Sequence, residues 1–103
     1  MSVRDEFERR ILEIPGVTRR PSRWGRTSAY YVGDREIAHF HGDERLDVRL
    51  TREEIRRRKS ERELDQRVRT RGPSADWVTV RLAEDRDILL ALDLVEGAVQ
   101  ANG

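Results

Sequence analysis

Both histidines of this 103-residue chain, His39 and His41, lie two positions apart in a stretch that alternates like a strand. Alternate strand residues point to the same side of a sheet, so the two imidazoles would share a face, with Cβ atoms roughly 7 Å apart. Asp43 would continue that face if the strand ran on past Gly42. Two histidines and a carboxylate make up the ligand set of many zinc and non-haem iron sites. A histidine pair can also serve in acid–base chemistry.

Three interpretations of the histidine pair remain open: a metal site, acid–base use, and a structural or surface role. The chain has no third histidine and no cysteine that would complete a metal site. We therefore predict no metal and no other cofactor, and we take His39 and His41 as the candidate catalytic residues.

A second candidate site is the basic stretch between residues 49 and 71, where ten basic and five acidic residues give a net charge of +5. Such a segment could attract nucleic acid or a protein partner. The alternative is a solvated helix face whose charge is partly balanced by Glu53 and Glu54. For nucleic acid, the expected contacts are Arg52, Arg56, Arg57, Arg58 and Lys59.

The aromatic residues could line a pocket for an aromatic ligand, although aromatic side chains in a small domain more often belong to the core. The candidates are Trp24, Tyr30, Tyr31 and Trp77. Trp77 falls on the polar side of a predicted strand, which would leave its ring partly free. The chain has no nucleophile-elbow motif and no phosphate-cradling glycine loop.

Period-two alternation of apolar and polar residues predicts the strands that position these side chains. Four strands follow one another as a meander over residues 17–24, 27–32, 35–41 and 45–50, and a fifth covers residues 77–82. In the fourth strand Leu46 and Val48 would face the core and Asp47 the opposite side.

Apolar residues at helical spacing predict a first helix from Ser2 and a last helix opening at Glu84 or Asp85. A capping box at Thr51 predicts an arginine-rich helix, and Ser60 predicts a second short helix after it. The expected fold is α+β: an antiparallel sheet of about five strands, a four-stranded meander plus a C-terminal strand, packed against N- and C-terminal helices. An Arg-rich helical excursion separates strands four and five. We expect residues 1–103 to form one domain.

Composition favours an ordered protein with a heavily ionised surface. Forty per cent of the residues are charged, but 21 basic residues nearly cancel 20 acidic ones. The signature of disorder requires a large net charge as well as low hydrophobicity. No apolar run reaches signal-peptide or membrane-spanning length. We therefore expect a cytoplasmic protein that does not associate with membranes.

Two short stretches resemble the luciferase-domain family. Residues 36–43, Glu-Ile-Ala-His-Phe-His-Gly-Asp, followed by Leu-Asp-Val at 46–48, resemble its His-x-His signature. Residues 74–80, Ser-Ala-Asp-Trp-Val-Thr-Val, resemble a second signature. These small bacterial and archaeal proteins are named after a domain shared with fungal luciferases. Fungal members are similar to oxygenases that act on a hydroxypyrone without an evident metal or flavin.

The resemblance implies a fold more than an activity. The positions here that match its motifs are His39, His41, Asp47 and Trp77. We therefore expect a small-molecule ligand, aromatic or anionic, at a His-x-His/Trp site made by these residues. As an enzyme, the protein would use a histidine in an oxygenase-like or acid–base reaction. The alternative is a nucleic-acid- or protein-binding module that uses residues 49–71.

Overall fold

Within residues 2–21, 28–42, 44–72 and 74–103, which the computed structural model describes, six strands form one antiparallel sheet. In chain order they are β1 (Val17–Pro21), β2 (Ser28–Val32), β3 (Arg35–His41), β4 (Arg45–Arg49), β5 (Arg69–Thr70) and β6 (Trp77–Arg81). In space the order is β1-β2-β3-β4-β6-β5. The predicted meander and the fifth predicted strand, now β6, are therefore confirmed, and the two-residue β5 is an additional edge strand.

The helices α1 (Val3–Ile11) and α3 (Asp85–Asn102) pack together and cover one face of the sheet, as predicted. Ser2 begins α1, because its hydroxyl accepts a hydrogen bond from the backbone N–H of Asp5. Phe7 of α1 is fully buried and makes edge-to-face contacts with Tyr30 and Phe40, at centroid distances of 6.4 and 5.9 Å. Such ring pairs each contribute about 0.5–1.5 kcal/mol beyond the area they bury.

A β-bulge in β3 changes which side chains share a face. Tyr30 pairs with Ala38 and Tyr31 pairs with Glu36, so Ile37 is an extra residue without a partner on β2. Ile37 and Ala38 both belong to the hydrophobic core. The bulge therefore brings Glu36 onto the same side as His39, although a regular strand would place residues three apart on opposite sides.

Strict alternation holds in β4 and β6. Leu46, Val48, Val78 and Val80 are almost completely buried beneath the helices. Their neighbours in sequence point to the other side of the sheet, which we call the polar face. It carries His39, His41, Arg45, Asp47, Trp77, Thr79 and Arg81. Core packing against α1 and α3 thus determines which side chains the polar face presents.

Helix α2 (Arg52–Ser60) follows β4, and Thr51 caps it by accepting a hydrogen bond from the N–H of Glu54. The predicted second short helix at Ser60 is wrong. Arg62 takes a left-handed conformation with φ 58°. The N–H of Glu63 then donates to the carbonyl of Arg58, which closes a Schellman turn. The chain continues through turns to Val68, whose buried side chain joins the core.

Candidate functional site

His39 and Asp47 are cross-strand partners on the polar face. They lie directly opposite each other in the β3–β4 pairing. The Nε2 atom of His39 is 3.2 Å from a carboxylate oxygen of Asp47. Asp47 is only 3% exposed, which is rare for a carboxylate that lacks partners. The sequence placed both residues on one face, and the structure brings them into contact.

Two further side chains hold the Asp47 carboxylate. The hydroxyl of Thr79, opposite Asp47 on β6, donates a 2.6 Å hydrogen bond to one oxygen. A guanidinium nitrogen of Arg71 lies 3.3 Å from the other oxygen. Burial by itself would raise the pKa of Asp47, but hydrogen bonds from His39 and Thr79 outweigh it and hold this pKa below its usual value. Asp47 is therefore an anion at neutral pH.

The second ring nitrogen of His39 is the unusual atom of this site. Because Nε2 faces the Asp47 anion, Nε2 carries a proton, and in the neutral ring Nδ1 is then the acceptor. Nδ1 is shielded from solvent and has no hydrogen-bond partner. The nearest carboxylate oxygen, of Glu36, is 4.0 Å away, beyond hydrogen-bond distance. Buried polar atoms without a partner are rare and often mark functional sites.

Trp77 completes this cluster. Its ring centroid is 5.0 Å from that of His39, with the two planes tilted by 48°. Trp77 is half-buried, so part of the indole faces outward. The preceding residue, Asp76, accepts two hydrogen bonds from the start of α2. Its carboxylate accepts one from the backbone N–H of Arg52, and its carbonyl accepts one from the backbone N–H of Thr51. The position of Trp77 therefore depends on α2 as well as on β6.

His41, the fourth predicted site residue, lies two residues farther along β3 and is exposed. It lies opposite Arg45 of β4 and lines a groove of about 900 Å³. The groove also contains Thr79 and Arg71, which hold Asp47. We call this feature the arginine groove, after its lining residues Arg45, Arg67, Arg69, Arg71 and Arg81. His39, Asp47 and Trp77 thus form one cluster, and His41 belongs to the adjoining groove.

The other predicted aromatic residues do not converge on Trp77. Tyr30 is in the core on the opposite side of the sheet. Tyr31 is buried, its hydroxyl donates to the carbonyl of Pro21, and Arg20 lies over its ring. Trp24 is outside the described residues. Asp43, the third donor of a possible metal site, is outside them too, and no metal-binding group of three His, Asp or Glu occurs in the described part of the chain.

Two of the five basic residues of α2, Arg57 and Arg58, are committed to ion pairs. Arg58 is buried and contacts Asp93 of α3 and Glu54 at 2.9 and 2.8 Å. Hydrogen bonds from Arg57 and Arg58 lower the pKa of Glu54 to about 2. Arg57 contacts three carboxylates, those of Glu54, Glu61 and Glu63. Of the residues expected to contact nucleic acid, Arg52, Arg56 and Lys59 are exposed.

Sequence reasoning missed Thr79, Arg71 and Glu36. Thr79 follows Trp77 at strand spacing, so the period-two pattern could have identified it. Arg67, Arg69 and Arg71 alternate in the same way, which was a usable signal for the arginine groove. Glu36 could not be found by this pattern, because the bulge at Ile37 changes the phase of β3.

Of the described helices, none combines the length and the apolar character needed to cross a membrane. Neither the curated proteins nor the solved structures contain a match to this chain. A family model described as Luciferase domain matches residues 34–98, more than half of the chain. The match includes the four predicted site residues and the whole arginine groove. The chain therefore belongs to the luciferase-domain family.

Proposed function

We propose that this luciferase-domain protein binds a small aromatic or anionic molecule on the polar face of its sheet. His39, Asp47 and Trp77 would contact the ring and its hydroxyl or acid group, and His41 would contact the anionic end. Concave sites that combine apolar surface with a few converging polar groups are the usual place for such ligands. Trp77, which is only partly buried, offers the apolar surface, and the His39–Asp47 pair offers the polar groups.

The observation that carries this proposal is the unpartnered Nδ1 of His39. A buried acceptor without a hydrogen bond costs about 1–3 kcal/mol, and a ligand that donates a proton would recover part of this cost. Glu36 and Trp77 lie against the ring, so binding at Nδ1 requires one of them to shift.

The role we propose for His39 is proton exchange with the ligand. Asp47 orients the ring through Nε2, as a carboxylate does in many histidine-dependent sites, and Thr79 in turn orients Asp47. Thr79 and Arg71 are therefore positioning residues. Activity, if the protein is an enzyme, would depend on the proton at His39 and on the Asp47 charge that stabilises the protonated ring.

The alternative function, a nucleic-acid- or protein-binding module based on residues 49–71, has weaker support. Arg57 and Arg58 already pair with carboxylates, and the side chain of Arg58 is nearly closed to solvent. A phosphate contact at Arg58 would require breaking two ion pairs.

A thermal-shift screen of phenols and aromatic carboxylates, beginning with 4-hydroxybenzoate, tests the proposal. A ligand at ten times its Kd adds about 1.4 kcal/mol to the stability of the protein, which is roughly 5–10 °C in Tm for a chain of this size. We expect such a shift for the parent protein, and its loss in His39→Ala and Trp77→Ala. His41→Ala should weaken binding of anionic compounds only.

Leu89→Ala is the matched control, because Leu89 is exposed on α3, on the opposite side of the sheet. It should respond to ligand as the parent does. The proposal is wrong if no compound shifts the parent, or if the His39→Ala and Trp77→Ala proteins respond as strongly as Leu89→Ala.

A further inference from the structure

We propose that the arginine groove binds a doubly charged anionic group of the phosphate class, carried by the ligand whose ring lies at Trp77. The inference rests on the proposed function for the aromatic part of that ligand, and it specifies the class of compound. The two sites are contiguous, because Arg71 contacts Asp47 beside His39 and also lines the groove.

Two groove arginines have no carboxylate partner among the described residues. Arg67 pairs with Asp65 and Asp87, Arg71 with Asp47, and Arg81 with Glu44. Within the described residues, no ion pair or side-chain hydrogen bond is recorded for Arg45 or Arg69. Two uncompensated guanidinium groups in one groove match a phosphate monoester, whose charge at neutral pH is about −1.5 to −2.

The pairing of the strands increases the positive potential. Arg45 of β4 lies directly opposite Arg81 of β6, and on its other side it faces His41 of β3. Like charges placed opposite each other in a sheet are destabilising. Glu44 relieves only Arg81, with a 2.9 Å contact. A bound anion would relieve the repulsion between Arg45 and Arg81, so the groove gains more from a ligand than isolated surface arginines do.

The groove also has the donors that phosphate prefers. Arginine presents a planar fork that can bind two oxygens of one phosphate at once. Arg45 and Arg69 reach the groove from different strands, with β6 between them. Thr70 adds a hydroxyl group to the lining, whereas the Thr79 hydroxyl already donates its proton to Asp47. Donors that approach from separate strands can surround a tetrahedral anion, whereas a planar carboxylate would use fewer of them.

The size of the groove and its surroundings favour a small molecule over a nucleic acid. Its volume of about 900 Å³ lies within the range of roughly 300–1,000 Å³ that is typical of small-molecule sites. A nucleic acid needs a basic track that continues along the surface. The neighbouring helix α2 supplies only part of such a track, because Arg57 and Arg58 are neutralised by Glu54 and other carboxylates. Its other basic residues, Arg52, Arg56 and Lys59, are exposed.

Isothermal titration with phenyl phosphate, benzoate and inorganic phosphate tests this inference on the full chain. Phenyl phosphate and benzoate share the ring and differ in charge, so we expect phenyl phosphate to bind at least tenfold tighter. The double variant Arg45→Gln/Arg69→Gln should lose that tenfold preference and should also lose inorganic phosphate binding. His39→Ala should weaken both ring compounds and leave inorganic phosphate binding within twofold.

The matched control is Arg52→Gln/Arg56→Gln, which removes the same charge from exposed positions on α2. It should bind phenyl phosphate within twofold of the parent. The inference is overturned if benzoate binds as tightly as phenyl phosphate, if both double variants lose binding equally, or if a labelled single-stranded oligonucleotide displaces phosphate from the groove. One further outcome is that inorganic phosphate binds only when Arg45 and Arg69 are present, while benzoate does not bind at all. That result would support the phosphate site in the groove and would contradict the proposed aromatic site.

Discussion

At the scale of single residues, the site depends on one buried charge. Asp47 has contacts with the side chains of three other strands or loops, and each contributes a group that stabilises the anion. The shared position of His39, Asp47 and Trp77 on one face was predictable, because alternation and the family motifs both mark these residues. The roles of Thr79 and Arg71 were not, since they depend on which strands become neighbours, and β6 pairs with β4 only through long-range packing.

The variant Asp47→Asn should be less stable than the parent by about 1–3 kcal/mol at pH 7, because an amide cannot accept equally well from His39, Thr79 and Arg71. The pKa of Asp47 is lowered in the folded state from a usual value of 3.8. Its stabilising contribution is therefore complete above pH 3.8 and is lost as the pH falls through the lower folded-state value. Urea unfolding at several pH values measures the difference.

We expect the gap between parent and Asp47→Asn to shrink as the pH falls below about 3.8. Glu53→Gln is the control, because Glu53 is exposed on α2 and its replacement should change stability by less than about 0.5 kcal/mol. A gap that widened below about pH 3.8 would contradict the role assigned to the Asp47 anion.

At the scale of elements, a buried arginine links α2 to α3. Arg58 bonds to Glu54 and Asp93, and its guanidinium packs against Gly97 of α3. Sequence reasoning assigned Arg58 to a solvated or nucleic-acid-binding face, because charge and helical spacing alone do not reveal an ion pair with a distant helix. The cap at Thr51 was predicted correctly, since its hydroxyl and the N–H of Glu54 are local. The reciprocal hydrogen bond of a capping box does not form, because the N–H of Thr51 donates to the carbonyl of Asp76.

The end of α2 is a second feature that local sequence patterns did not predict. A second short helix was expected at Ser60, because serine is a favourable cap residue. Arg62 nevertheless adopts the left-handed conformation, which costs a side-chain-bearing residue about 1–2 kcal/mol. The Schellman hydrogen bonds and the burial of Val68 offset this cost. The end of the helix at Arg62 therefore depends on tertiary packing, which cannot be read from local sequence patterns.

Gly97→Ala tests the attachment of α2. Alanine is favoured over glycine within a helix by about 1 kcal/mol. A Cβ atom at this position would lie 2.5 Å from the Arg58 guanidinium and 3.1 Å from Leu50. Because Arg58 is held by Glu54 and Asp93, making room for the new Cβ would strain both ion pairs, and we expect a net loss of about 1–3 kcal/mol in urea unfolding.

The same substitution in an Arg58→Ala background provides the control. There the guanidinium is absent, and Gly97→Ala should be neutral or stabilising. A stabilising effect of Gly97→Ala in the parent background would mean that Arg58 yields easily and does not hold the helices together.

At the scale of the whole molecule, the two faces of the sheet have different roles. One side packs against α1 and α3 and supplies the hydrophobic core, while the other carries the ionised residues of the proposed site. The predicted α+β fold was recoverable because this division imposes period-two alternation on β4 and β6. The two-residue β5 was not, since it is too short to show a period.

Amide hydrogen exchange should reflect the position of each strand in the sheet. β3 and β4 have a strand on both sides and lie beneath α3, so their amides should exchange slowest. The edge strands β1 and β5, and the turns at residues 61–67, should exchange at least roughly tenfold faster. Exchange at neutral pH, resolved by residue, measures this order. Protection of β1 equal to that of β3 would contradict it and would indicate that the β1 edge pairs with another copy.

The bulge at Ile37 has a consequence for comparing sequences. Residues before it and after it follow opposite phases of alternation, so Glu36 faces the site although it is an odd number of positions from His39. An alignment that treats β3 as one regular strand would score Glu36 as a core position. A relative that lacks the extra residue would need a one-residue gap at Ile37, and its acidic partner for the histidine should be sought two positions upstream instead of three.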